Sequence, residues 1–177
     1  IIFEKISFIS FSPDEFNKIV NKNGLFVFPS APGIASIKDK KNYYISLKNA
    51  DFVFFDSGFF VLLLRIIKNI KCTRFSGYKF LKFFFEFIKK DKKKTIFLVD
   101  PNKNFSQNNI KLINNLGVNK KNINSYIAPI YDPKKIKDLK LLKMLVNIKP
   151  KIILINLGGG TQEVLGLYLK NNLNFKC

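Results

Sequence analysis

Short runs of consecutive apolar residues alternate along this chain with longer segments whose apolar positions recur at helical spacing. The short runs Leu25–Phe28, Phe52–Phe55, Lys71–Phe75, Thr95–Val99, Ile123–Ala128 and Lys151–Leu157 predict strands. The longer segments predict helices over Phe59–Asn69, Tyr78–Lys90, Gln107–Leu116, Pro133–Ile148 and Thr161–Asn171, with helical turns between Ile34 and Asn49. A shorter helix is expected from Pro13 to about Lys22, because Ser12 supplies a capping hydroxyl, Pro13 suits the first helical position and Glu15 stands where a capping box needs it. Strands alternating with helices predict an α/β fold: a single domain with a mainly parallel sheet flanked by helices.

The strand ends carry the polar chemistry. Leu25–Phe28 runs into Pro29-Ser30-Ala31-Pro32-Gly33, Phe52–Phe55 into Asp56-Ser57-Gly58, and Ile96–Val99 into Asp100-Pro101-Asn102. The last strand empties into Gly158-Gly159-Gly160-Thr161-Gln162-Glu163. Open parallel sheets bind ligands at this edge, where glycines allow close backbone approach and a helix start offers N–H groups to an anion. A glycine-rich turn of this kind also occurs without any ligand. It is neither a Walker loop, lacking a following Gly-Lys-Ser/Thr, nor a dinucleotide fingerprint, since the glycine spacing is wrong.

With 177 residues the chain is long enough for a sizeable core, and 47% hydrophobic content with 20 phenylalanines excludes a disordered chain. The sequence begins at Ile1 and its sole methionine is Met144, which leads us to expect a fragment or processed product. Cys72 and Cys177 fit neither a disulfide scaffold nor a zinc cluster, so a reduced cytosolic setting is expected. The longest apolar stretch, Phe52–Ile67, is interrupted by Asp56, Ser57 and Arg65, and the start does not read as a signal peptide, so a soluble or peripheral protein is expected.

A formal charge of +19 has two readings: the lysine bias of AT-rich coding, or attraction to phosphates and anionic membranes. Nucleic acid is not the expected partner, because the only arginines are Arg65 and Arg74 and no binding motif is present. In Tyr78–Lys90 the residues Phe80, Leu81, Phe84, Phe87 and Ile88 form one helical stripe, read chiefly as core with the following lysines as its solvated end.

Without histidine, and with 12 carboxylates, proton transfer falls to Asp, Glu, Lys, Tyr or Cys. Asp56 is the first candidate for a base, since the flanking Phe52–Phe55 and Phe59–Leu64 would desolvate it; a helix-capping aspartate before Ser57-Gly58 is the alternative. Asp100 reads as a turn residue before Pro101. No Asp-x-Asp pair and no His or Cys cluster supports a metal, and no cofactor is expected; a bound diphosphate would rely on Arg74, Lys79, helix starts and glycine N–H groups.

Taken in order, Ala50-Asp51 leading into Asp56-Ser57-Gly58, then Arg74-Phe75-Ser76-Gly77, then Lys149-Pro150 leading into Leu157–Glu163, resemble the WecG/TagA/CpsF family of bacterial glycosyltransferases from about Leu25 onward. The resemblance implies a Rossmann-like fold and metal-independent, inverting transfer of an N-acetylhexosamine-type sugar. The donor would be a UDP-sugar and the acceptor a sugar on a polyprenyl diphosphate, in surface polysaccharide or teichoic acid synthesis. It further implies peripheral association with the anionic inner face of the cell membrane; a homo-oligomer is compatible with this reading. Carried onto this chain, it makes Asp56 the base that deprotonates the acceptor. Ser57, Gly58, Arg74, Ser76, Gly77 and Gly158, Gly159, Gly160, Gln162, Glu163 would lie around the donor.

The chain departs from the family pattern in four places: Ser57 is inserted between Asp56 and Gly58, the acidic residue expected after the Arg-x-Thr-Gly turn is replaced around Tyr78 and Lys79, Gly160 replaces a proline, and only Ser30 offers a hydroxyl where the family has a Thr-x-Asn turn. Family members also continue past the Gln-Glu helix into a further strand and a basic segment, so a C-terminally incomplete domain is expected. The competing class is a non-catalytic accessory subunit of a polysaccharide glycosyltransferase.

Overall fold

Parallel strands whose crossovers are helices require apolar residues on both strand faces, and the computed structural model, which describes residues 1–177, has this arrangement. Its architecture is α/β, with mostly parallel sheets flanked by helices. The chain divides into two compact units, Ile1–Phe83 and Phe84–Cys177, each with its own sheet.

In the first unit, β1 (Ile2–Phe3) and β2 (Ile6–Ile9) form an antiparallel hairpin that the sequence pattern did not reveal. The turn between them places Glu4 and Lys5 at φ 48 and 62, a left-handed pair that usually calls for Asn or Gly. A 3-10 turn over Pro13–Glu15 leads into α1 (Phe16–Ile19), where the Glu15 carboxylate accepts from the Ser12 amide at 3.1 Å as the capping-box reading expects. There follow β3 (Phe26–Val27), α2 (Ala31–Ala35), α3 (Lys41–Lys48), β4 (Phe52–Phe54), α4 (Gly58–Lys68) and α5 (Gly77–Lys90), the last crossing the unit boundary. The sheet order is β1-β2-β4-β3, with β4 parallel to both β2 and β3, so the carboxyl ends of these three strands share one edge.

Phenylalanine fills both sides of this sheet. On one side Phe60 of α4 meets the rings of Phe3, Phe8 and Phe55. On the other, Phe80 of α5 packs among Phe16, Phe26, Phe28, Phe54 and Phe75. Phe80, Phe84 and Ile88 of the expected stripe are buried, whereas Leu81 is exposed.

The second unit contains β5 (Ile96–Asp100), α6 (Lys103–Asn115), β6 (Ile123–Ile127), α7 (Leu139–Ile148), β7 (Ile152–Ile155) and α8 (Thr161–Asn172). The strands are all parallel in the order β6-β5-β7. Every residue of central β5 is buried: Phe97 and Val99 pack with Leu141, Leu145, Leu165 and Leu169 of α7 and α8, and the alternate residues face the opposite side. β7, as an edge strand, is only half-buried along its length.

Two predicted elements are corrected. Lys71–Phe75 is not a strand: the Thr73 amide donates to Ser10 Oγ (3.0 Å) and the Phe75 amide to the Phe55 carbonyl (3.0 Å), single bonds to strand ends rather than a ladder. The segment from Pro133 is not helical either. A turn forms on Asp132, and α7 begins only after Asp138, whose extended φ of -130 and side-chain cap on the Leu141 amide set the start.

Candidate functional site

Within the first unit the carboxyl edge brings together most of the residues singled out there. Asp56 follows β4 and is half-buried. Its Oδ1 accepts from the Gly77 amide at 2.7 Å, and its carbonyl accepts from Arg74 Nε at 2.8 Å. Ser57 Oγ caps α4 by accepting from the Phe60 amide (3.2 Å), and Ser76 Oγ accepts from the Lys79 amide (3.3 Å) at the start of α5. The hydroxyls of Ser57 and Ser76 therefore discharge the capping duty, and Asp56 is not the cap of α4. What remains is a carboxylate held through one oxygen at the first residue of α5, with the other oxygen taking no hydrogen bond from the protein.

The exposed Arg74 side chain lies across Gly58 at the first residue of α4, its Nη1 3.7 Å from where a Cβ would project. A guanidinium beside the start of α4 is a setting for an anion, whereas the start of α5 already holds the Asp56 carboxylate. Gly77 sits close against Phe28, where a Cβ would meet the ring at 3.3 Å, and this brings the end of β3 to the same edge. Ser30, beyond it, is exposed and spends its hydroxyl as acceptor for the Gly33 amide at 3.3 Å. Ser10 at the end of β2, which pins Thr73, was not legible as a site residue because the hairpin strand was not recognised.

Within the second unit the Gly158-Gly159-Gly160 turn faces open space: a Cβ built on any of these glycines meets nothing within 4 Å. Gly160 alone is conformationally constrained, at φ +92. Glu163, 2% exposed, folds back so that Oε2 accepts from the Gly160 amide at 2.6 Å, and Oε1 accepts from Gln162 Nε2 at 3.2 Å. Burial pushes the Glu163 carboxyl up, opposed by hydrogen bonds from its own amide, Gly160 and Gln162. The helix start expected to meet an anion thus already holds the protein's own carboxylate. The turn suits a neutral part of a ligand better than a phosphate.

Gly160→Ala is expected to destabilise the protein by about 1–2 kcal/mol, since an L side chain there is strained whatever the space around it. Chemical unfolding of the variant checks this.

Asp100 is corrected from a plain turn residue. It ends β5 fully buried, Oδ1 accepts from Asn109 Nδ2 (2.7 Å) and Asn156 Nδ2 (2.8 Å), and Oδ2 is buried without a hydrogen-bond partner. Sequence reasoning could not join it to Asn156, because the contact spans 56 residues. A second buried carboxylate, Asp138, was missed as well. Its Oδ2 accepts from the hydroxyls of Tyr126 (2.8 Å) and Tyr131 (2.6 Å), and Tyr168 Oη accepts from its amide (3.1 Å). Burial works to raise the Asp138 carboxyl, but the Leu141 amide and the two tyrosine hydroxyls outweigh it and hold it below its ordinary value. Tyr126 is pushed up to about 12, by burial first and then by the Asp138 carboxylate. No group of three or more His, Cys, Asp or Glu side chains is placed to hold a metal ion.

Polar residues gather where parallel strands hand over to helix starts in this α/β protein, with a carboxylate and a guanidinium at one such edge, the edge at which open parallel sheets bind ligands. The chain belongs to the glycosyl transferase WecG/TagA/CpsF family, whose pattern matches residues 5–177. Membership supports a glycosyltransferase role in polysaccharide synthesis and implies a sugar donor and an acceptor as substrates. No curated protein matches the sequence. No helix is long and apolar enough to cross a membrane.

Proposed function

We propose that this protein transfers an N-acetylhexosamine-type sugar from a UDP-sugar to a sugar carried on a polyprenyl diphosphate, with inversion and without a metal, at the inner face of the cell membrane. The observation that carries this reading is Asp56: one oxygen is anchored by the Gly77 amide and the other is open to take a proton. In a single displacement, the open oxygen removes the proton of the acceptor hydroxyl as that hydroxyl attacks the anomeric carbon. The bond to the UDP oxygen breaks, and UDP leaves with the electron pair. Arg74, lying beside the start of α4, is suited to the charge growing on the departing diphosphate. On the family resemblance alone Gln162 and the glycine turn are assigned to the nucleotide; within the second unit Glu163 holds that turn through the Gly160 amide.

Titration calorimetry with UDP and UDP-N-acetylhexosamines, with and without a divalent ion, tests the donor half. Saturable binding that is insensitive to the ion and weakened at least about tenfold in Gln162→Ala is expected, the loss of one or two hydrogen bonds to a ligand. A folded chain that binds none of them would overturn the donor assignment.

A further inference from the structure

We propose that the outer face of α4 is the surface on which this protein docks to an anionic lipid bilayer. Helix α4 is anchored to its sheet by Phe60 and Leu64, which are 8% and 2% exposed. Its other side presents Phe59, Leu62, Ile66 and Ile67, exposed at 65%, 50%, 70% and 67%. Phe59, Leu62 and Ile66 stand at helical spacings of three and four, with Ile67 beside them, so they form one apolar strip. A strip this apolar on so short a helix is an interaction surface rather than scattered exposure.

The charges around it choose the partner. Between Asp56 and Glu86 there is no acidic residue, while Arg65, Lys68, Lys71, Arg74, Lys79 and Lys82 are all basic. A second copy laid face to face would set these cations against themselves in a chain of net charge +19. An anionic bilayer satisfies both features: apolar side chains enter the boundary between headgroups and acyl chains, and Arg65 and Lys68 meet lipid phosphates. With 11 residues, α4 is roughly 16 Å long, about half a bilayer core, so it lies in the interface and does not span it. The helix starts at Gly58, beside Asp56, so docking would hold the carboxyl edge of the first unit at headgroup level, where a lipid-carried acceptor presents its hydroxyl. That last consequence rests on the proposed acceptor; the surface itself does not.

Flotation of the full chain with phosphatidylcholine vesicles, with and without phosphatidylglycerol, provides the test. The wild type is expected to float with the mixed vesicles. Leu62→Glu/Ile66→Glu should lower partitioning at least about tenfold, with an unchanged unfolding midpoint and UDP affinity. Arg65→Ser/Lys68→Ser should lower it about tenfold on mixed vesicles and leave pure phosphatidylcholine unaffected. Should the double glutamate variant fail to fold, Ile66→Ser alone is expected to weaken flotation several-fold. Equal flotation of wild type and folded apolar-face variants overturns the proposal. So does a wild type that ignores vesicles, whether it sediments as a monomer or as a dimer that Leu62→Glu/Ile66→Glu dissociates. Vesicle binding by a chain that binds no UDP-sugar would overturn the proposed function and leave the docking surface standing.

Discussion

Asp56→Asn is expected to lower sugar transfer roughly 10²–10⁴-fold, the range over which a general base contributes, while leaving UDP binding within a factor of about two. The substitution is chosen because an asparagine oxygen still accepts from the Gly77 amide, so the bond that ties the end of β4 to the start of α5 survives. The Arg74 contact is to the Asp56 backbone carbonyl and also survives. What disappears is basicity at the open oxygen, without which the acceptor hydroxyl must attack while keeping its proton. Transfer of radiolabelled sugar to a synthetic polyprenyl-diphosphate acceptor, followed beside calorimetry, separates chemistry from binding. Turnover within threefold of wild type would remove Asp56 from the reaction and favour an accessory role, in which its task is the Gly77 bond alone.

The largest loss of stability is expected at Asp138. In Asp138→Ala, α7 loses its N-cap, worth about 1 kcal/mol, and the hydroxyls of Tyr126 and Tyr131 lose their shared acceptor. Leaving half-buried donors unpaired adds to this, and the sum is about 3–5 kcal/mol. Urea unfolding would report it as a lower midpoint at unchanged slope.

The same cluster gives a pH signature with two limbs. Asp138 is held below its ordinary value in the fold, so its contribution is present above the ordinary carboxylate range and is lost as the pH falls through the lowered value. Tyr126 is raised from 10.0 to about 12, so the unfolded chain loses its proton first and stability declines as the pH climbs across that interval. Tyr131 is raised as well, by burial and by Asp138, so Tyr126→Phe should reduce the alkaline limb without removing it, whereas Asp138→Ala should blunt both limbs.

Much of the fold was legible because burial imposes a period. Apolar runs such as Ile96–Val99 became β5, buried on both faces, and the stripe of Phe80, Phe84 and Ile88 turned inward on α5. Lys71–Phe75 mimicked a strand because it is short and ends on a core phenylalanine, yet only Phe75 is buried, against Phe54 and Phe11, while Lys71, Thr73 and Arg74 are exposed on a connection pinned at Thr73 and Phe75. The segment from Pro133 mimicked a helix because the residues that delay its start, Tyr126 and Tyr131, lie outside it and act through Asp138. The paired strands Ile2–Phe3 and Ile6–Ile9 escaped notice because their turn carries Glu4 and Lys5 rather than turn residues.

At the candidate site the sequence by itself determined the inventory. It set which strand ends carry Asp56, Ser57 and the glycine turn, that no histidine is available, and that the charge is strongly positive, since all of these follow from residue type and local period. Tertiary structure alone decided what each group is free to do. Gly77 occupies one oxygen of Asp56, Asp100 is sealed against Asn156, and α4 turns its outer apolar face to solvent. The Asp56 and Asp100 outcomes depend on partners 21 and 56 residues away, and no local pattern encodes which distant donor will reach a given acceptor.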